Sequence, residues 1–441
     1  MQTKAPPSEP VSLRSWYALA LMLLAYVFNF IDRSILAILN QPIKDDLHLT
    51  DTQMGFLGGV AFAIFYTFVG IPVARLADKT IRRNVLVVSL AIWSGMTVVC
   101  GFVVNFPQLL LARIGVAIGE AGGSPPCHSM ISDLFPLSRR ATALGIYALG
   151  IPAGGMIGSL AGGWLNEAYD WHTAFMLVGA PGLVLAVLIF FTMREPVRGA
   201  SDAVVSQNTY TPPVIDVFKF LWARKSFRYM ALGASLHTFV GYGVGYWFPP
   251  FMIRSHHLGT ALIGQWLFYL GFAGLLGTFL GGFLADRLIR RDMRWYVWLP
   301  GIAVLVALPF SAFVYTYPNY RVALLCAIVP NILGAYYLAP LFAMTQAMVG
   351  LRMRALAASI ILFITNLIGM GLGPQLTGII SDLFDHYTNL GTESLRWALV
   401  TLLLANLAAA LFYLYSARFL RDDLLRPKEL EAPDASASVA A

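Results

Sequence analysis

Charge is scarce in this chain, and the scarcity excludes whole classes of protein. Asp, Glu, Lys and Arg make up 12% of its 441 residues, against 58% hydrophobic, a balance far from that of soluble domains. Cysteine is nearly absent: Cys100, Cys127 and Cys326 all sit in apolar stretches, which leaves no disulfide framework and no zinc site. No Gly-x-x-x-x-Gly-Lys-Ser/Thr loop occurs, so ATP is not expected as a direct energy source or cofactor. The apolar runs hold no Ser/His/Asp group and no His-x-x-x-His pair, so neither an enzyme nor a metal centre is expected. Residues 1–13 are polar and lack the short apolar core of a signal peptide, so the first apolar run is expected to stay in the mature chain.

What is present is a succession of apolar runs near the ~20 residues needed to cross a bilayer. They fall at about 16–39, 52–74, 84–104, 107–134, 141–165, 173–193, 229–252, 261–285, 295–316, 321–349, 355–381 and 395–418. An all-α membrane protein with twelve transmembrane helices is expected. The net charge of +7 raises the possibility of a nucleic-acid partner, but the placement of the basic residues argues against one. Lys44, Arg254, Arg321 and Arg396 fall on one side and Arg33 and Arg113 inside apolar runs, leaving the other 24 of 30 in the N-terminus, alternate loops and the C-terminus. That bias is the positive-inside rule, and it predicts cytoplasmic N- and C-termini.

The decapeptide Ala74–Arg83 returns 208 residues later as Gly282–Arg291, with six of ten positions identical, among them Asp78/Asp286 and the closing Arg pairs. Each copy is expected to form a short charged hairpin between two membrane helices. A repeat at this period means two similarly built halves, and paired halves in a membrane point to a transporter whose site lies between them. The expected organisation is 1–193 as the first six-helix half, 194–228 as a cytoplasmic linker with an amphipathic surface helix at Val214–Trp222, 229–420 as the second half, and 421–441 as a disordered tail.

Four ionisable residues stand where the lipid core should be: Asp32 and Arg33 in span one, Arg113 and Glu120 in span four. Each costs about 2.5–3.5 kcal/mol on insertion scales, so the four unpaired would cost on the order of 10 kcal/mol. They must face water or one another. Arg113 and Glu120 are two helical turns apart on one face, about 10 Å along the axis, too far for a comfortable direct bond. Asp32 could stand between them if spans one and four are neighbours. An acid beside an Arg stays ionised, whereas one in apolar surroundings is driven neutral, so movement between such places would carry a proton. The alternative is a fixed ion cluster that only locks the two spans together. Arg113 is also a candidate anchor for a substrate anion.

After Glu120 the chain reads Ala-Gly-Gly-Ser-Pro-Pro126, which must loosen span four as either a packing feature or a hinge. His128 reads better as a packed core histidine than as a proton carrier. Gly145 through Gly163 in span five reads as a small-residue packing seam that could also slide between states. The second half has no interior carboxylate and offers instead His237, Tyr242, Asn331, Tyr336, Gln346 and Asn366, with Tyr246, Tyr337 and Thr345. One charged wall and one apolar wall with polar handles suit an amphiphile with an acidic head. Asp78 and Asp286 are expected at the cytoplasmic ends of spans two and eight, where pairing with Arg139 or Arg354 would hold that side shut in one state; the alternative is topological anchoring by the Arg clusters alone.

The repeated Gly/Ala-x-Leu-Ala-Asp-Lys/Arg-x-x-Arg-Arg loop resembles the signature of the major facilitator superfamily, and Arg113 with Gly119 resembles that superfamily's span-four motif. Gly150–Gly155 is similar to its fifth-helix motif, with Ile where Gly is usual before Pro152, so it implies nothing about antiport. More narrowly, Asn29-Phe-Ile-Asp-Arg33 and Arg113–Ala121 resemble the spinster branch of sphingolipid and lysophospholipid transporters, in a chain as short as a bacterial homologue; the resemblance covers residues 16–420. It implies two pseudo-symmetric halves, proton-linked alternating access with Asp32 and Glu120 as the titrating groups and Arg113 as their partner, gating at Asp78 with Arg139, a monomer, and a bacterial inner-membrane location. The expected partners are a small amphiphile, protons and the bilayer, with no nucleic acid. A drug or organic-anion transporter of the same fold is the nearest rival. A lipid scramblase, a membrane-embedded enzyme and a receptor are the others.

Overall fold

The computed structural model describes residues 11–199, 213–350 and 353–426, the side chain of residue 355 excepted. Residues 200–212 of the expected linker, 427–441 of the expected tail, and Arg352 lie outside the described residues.

The fold is helical, with no strand among the described residues. Spans one to three are Leu13–Ile38, Asp51–Lys79 with a break at Gly59, and Arg82–Cys100. Span four is Phe106–Glu120 followed by Ser124–Leu134, span five Leu137–Ala148 with Gly150–Ala168, and span six Trp171–Thr192. Spans seven to nine are Lys225–His256, Thr260–Ile289 and Trp295–Thr316. Span ten joins Tyr320–Gly334 to Leu338–Ala347 through a 3-10 turn, span eleven runs from Arg354 to Thr388, and span twelve is Ser394–Leu425. Ten of these are long and apolar enough to cross a bilayer. The other two are span four, which is interrupted, and span seven, whose composition is more polar.

Local chemistry sets the ends. Ser12, Asn105 and Asp170 each accept a backbone N–H of the first turn that follows, and Thr50 with Gln53 forms a reciprocal capping box ahead of span two, satisfying N–H groups no helical carbonyl can reach. The repeated decapeptide is more helical than a hairpin. Span two continues to Lys79, span three begins at Arg82, and only Thr80 and Ile81 link them. Val214–Trp222 is the expected short helix, with Val217 and Leu221 buried. Span twelve runs on to Leu425, into the stretch expected as disordered tail. Asp423, buried there, accepts both the N–H and the hydroxyl of Ser226 at 2.8 Å, and Arg421 pairs with Asp292 at 2.8 Å.

Two compact units emerge. The first comprises residues 1–206, 243–271 and 374–398, the second 207–242, 272–373 and 399–441. In the first, span five lies directly on span one, because a Cβ at Gly154, Gly158 or Gly162 would strike the span-one backbone or its Ile side chains. The glycine run is thus a packing seam. In the second, Val217, Phe227, Met344, Ile361 and Tyr413 share one apolar core. Large apolar side chains such as Phe68, Phe191 and Phe279 remain exposed, while charged residues are buried inside, an arrangement suited to hydrocarbon surroundings.

Candidate functional site

Span one presents Asn29, Asp32 and Arg33 on adjoining faces, and span four brings Arg113 and Glu120 against them. Span four is seated on span three through small residues: a Cβ on Gly119 would lie 2.5 Å from the Trp93 backbone nitrogen and one on Gly115 2.6 Å from the Met96 side chain. Asp32 and Glu120 are each 1% exposed and Arg113 3%.

The pairing is not the one that spacing suggested. Glu120 accepts the Arg33 Nε at 2.6 Å, while Arg113 reaches the backbone carbonyl of Asp32 at 3.4 Å. The Asp32 carboxylate bonds neither basic group. Among the described residues neither of its carboxylate oxygens has a hydrogen-bond partner, nor do Arg113 Nε and Glu120 Oε1. Glu120, Thr97 and Arg113 lie within its electrostatic reach, but the Thr97 hydroxyl is committed to the Trp93 carbonyl at 2.9 Å. The Arg33 guanidinium is caged by Phe30, Phe62 and Tyr66 at 5.0, 5.1 and 4.7 Å, and Arg113 faces Phe62 at 5.6 Å. Such stacking stabilises a guanidinium away from water. The cluster holds two acids and two bases; Arg33 and Glu120 form a salt bridge, and the Asp32 carboxylate can change its charge without breaking any hydrogen bond of its own among the described residues.

The polar residues of the second half divide. His237 is pinned, with Nε2 2.9 Å from the Gly334 carbonyl and Nδ1 3.0 Å from the Asn406 side-chain oxygen, its ring edge-on to Tyr337. That carbonyl belongs to the end of the first segment of span ten, where a broken membrane helix needs a substitute donor. Tyr242 lies near Tyr337 and is exposed, so His237, Tyr242 and Tyr337 come together. Tyr336 turns away into an apolar core with Ala285, Leu299 and Ala303. Asn331 bonds its own helix at Ala327, 2.8 Å away. Gln346 and Asn366 are half-buried, and Asn366 directly precedes a π-helical turn, Leu367–Leu372, a local widening often found at functional positions.

Asp78 and Arg139 in the first unit and Asp286 in the second are exposed, and no ion pair joins Asp78 to Arg139 among the described residues. The ties there come from the start of the linker. Arg198 binds the carbonyls of Ala77, Asp78 and Thr80. Buried Arg82 pairs with Asp133 at 2.5 Å and Glu195 at 2.8 Å, and Glu195 also accepts the Arg83 N–H at 2.8 Å. The charged Arg194-Glu195-Pro196 run was visible in sequence, but its role was not.

A larger network escaped the sequence reading. Asp51, 2% exposed, accepts both terminal nitrogens of Arg254 at 2.7 and 2.6 Å, Lys44 at 2.6 Å and the Ser381 hydroxyl at 2.7 Å. Arg254 Nε also donates to Gln41 at 2.6 Å. Below it, Tyr246 donates to the Met54 carbonyl and Trp247 to that of Pro374, both at 2.8 Å. The only signal was that Lys44 and Arg254 are exceptions to the positive-inside bias.

The major facilitator superfamily model matches residues 22–374. The chain belongs to that superfamily. An MFS-type efflux pump of Mycolicibacterium smegmatis is 33% identical over 416 residues, covering 93% of this chain and 94% of the pump. Spinster homolog 1 of Xenopus tropicalis is 25% identical over 437 residues, covering 91% and 80%. The crystal structure of a bacterial homologue of the human lysosomal transporter Spinster, inward-facing and unoccupied, superposes with a TM-score of 0.87 at 32% identity, covering 97% of this chain and 100% of that one. This facilitator is therefore of the Spinster branch, a multi-pass integral membrane transporter with the superfamily's all-helical fold. Superfamily members of this kind are transporters rather than enzymes, and a small-molecule substrate follows from membership.

Proposed function

We propose that the protein is a proton-coupled secondary transporter that moves an amphiphilic anion, lysophospholipid- or sphingolipid-like, by alternating access of the halves 1–193 and 229–420. The single observation that carries the coupling is the Asp32 carboxylate, fully buried without a hydrogen-bond donor beside the Arg33–Glu120 pair. A proton entering from one side neutralises Asp32; loss of that charge leaves Arg113, which unlike Arg33 is not paired with Glu120, available to an acidic headgroup. Release of the proton to the other side restores the starting balance. Glu120 exchanges between Arg33 and the proton in the same cycle.

The aromatic and Met-rich apolar character of the second half supports an apolar substrate body, with His237, Tyr242, Asn331, Gln346 and Asn366 as polar handles and Tyr336 shaping the wall. Asp78, Arg139 and Asp286 gate the decapeptide end, which faces the cytoplasm of a bacterial inner membrane along with both termini, and the protein works as a monomer. The substrate class is tested with proteoliposomes given lysophosphatidic acid, lysophosphatidylcholine, small sugar acids and drug-like cations under an imposed proton gradient. Gradient-driven movement of the lysolipids is expected, and Arg113→Gln should weaken their apparent affinity about tenfold or more, the loss of a charge-assisted contact. Movement of the cations or small acids alone would favour the second reading, a drug or organic-anion transporter, which the efflux-pump relative supports.

A further inference from the structure

The end of the first unit opposite the decapeptide carries two helix seams built to one plan. In one, span eleven lies on the start of span two; in the other, span five lies on the start of span eight. A Cβ on Gly55 would lie against the Pro374 carbonyl, and one on Gly264 against the Ser159 carbonyl. A Cβ on Gly378 would strike the Asp51 carbonyl, and one on Gly163 the Thr260 carbonyl. Four residues after those glycines, Asp382 accepts the N–H groups of Thr52 at 2.7 Å and Asp51 at 3.1 Å, and Glu167 accepts the N–H of Ala261 at 2.9 Å.

The correspondence holds position by position. Asp51, Thr52 and Gly55 stand at one constant spacing from Thr260, Ala261 and Gly264. Ser159, Gly163 and Glu167 stand at a second constant spacing from Pro374, Gly378 and Asp382. The three positions on each covering helix recur every four residues and so share one face. In both seams a carboxylate from one half of the sequence seats on the helix N-terminus of the other half, where free N–H groups and the positive end of the helix dipole favour an anion.

We propose that Asp382 and Glu167 are paired gating residues, two carboxylate clasps that hold this end shut and must both release for each transport cycle. The idea rests on the alternating-access reading above. Its chemistry is reversible without side-chain unfolding, because water can replace the carboxylate at each N-terminus. The two clasps differ in reinforcement. The Asp382 clasp sits beside the Arg254–Asp51–Lys44 network, whereas among the described residues the Glu167 clasp is joined by the neutral Asn166-to-Thr260 and Thr260-to-Gly163 bonds at 3.1 and 2.9 Å. The Glu167 side therefore opens first.

The test uses full-length protein with Cys100, Cys127 and Cys326 replaced by Ser and one reporter, Leu57→Cys, at a fully buried position in span two. A membrane-impermeant maleimide is added in proteoliposomes, without substrate or proton gradient. Asp382→Asn and Glu167→Gln should each speed labelling about tenfold, the worth of one charge-assisted hydrogen bond, and the double variant should multiply the two. Separately, a Thr52→Cys/Asp382→Cys disulfide should stop both labelling and transport, with reductant restoring them. Unchanged labelling in the double variant, or full transport with the disulfide formed, overturns the proposal. Because labelling needs no gradient, faster labelling together with intact coupling in Asp32→Asn would sink the proton reading alone.

Discussion

Two buried carboxylates in the same compact unit receive opposite treatment. Asp51 is saturated, taking bonds from Arg254, Lys44 and Ser381. The Asp32 carboxylate is starved, with no hydrogen-bond partner among the described residues. Burial is nearly the same, 2% and 1% exposed, so burial does not separate them; satisfaction does. A saturated ion pair resists change, since removing one partner strands the other in low dielectric. A starved carboxylate loses little when it takes a proton and gains relief from desolvation. The comparison assigns Asp51 to holding and Asp32 to switching.

The sharpest way to break that contrast is Arg254→Gln, which leaves Asp51 buried and short of its main partner. It should destabilise the protein by about 3–5 kcal/mol, seen as a lowered thermal midpoint in detergent, and adding Asp51→Asn should recover part of the loss. A neutral effect would show that the network is not holding anything. Next in size is Gly119→Ala, whose Cβ would meet the Trp93 backbone. It should cost about 1–3 kcal/mol by overpacking and push span four off its register with Arg33, lowering transport more than stability. Smaller, and opposite in sign, Asp32→Asn should stabilise the fold by about 1–2 kcal/mol, because it removes a buried carboxylate charge that no hydrogen bond offsets. If Asp32→Asn destabilises as Arg254→Gln does, the two carboxylates are not different in kind. Smallest, His237→Phe should cost about 1 kcal/mol through the lost bond to the Gly334 carbonyl while leaving proton coupling in place, measurable as an unchanged gradient-driven flux ratio.

The helical spans were legible because apolar runs and basic loops are properties of consecutive residues, and their observed ends fall within a few positions of those expected except where caps or extra turns intervene. Breaks inside spans were only partly legible. The Gly-Gly-Ser-Pro-Pro run after Glu120 announced one at Ala121–Gly123, whereas the 3-10 turn at Ala335–Tyr337 follows a carbonyl held by His237 and the π turn at Leu367–Leu372 packs Gly369 against Thr238, both long-range contacts. The members of the charged cluster were legible one by one. Which arginine meets Glu120 was not, because Arg33 and Arg113 lie on different helices and the choice rests on their relative rotation. Asp51 and Arg254, 203 residues apart, share no local pattern. The equivalence of the Asp382 and Glu167 seams became readable only once the contacts were known, since the repeat there preserves geometry rather than residue identity.

The measurement that tests the central claim most directly is flux in proteoliposomes after a pH jump, comparing the native protein with Asp32→Asn and Glu120→Gln and reading gradient-driven accumulation beside gradient-free exchange. Both variants should lose accumulation, with the concentration ratio falling to about one, while Asp32→Asn retains exchange. Full gradient-driven accumulation in both variants would contradict the account and leave the intramembrane charges as a structural lock between spans one and four.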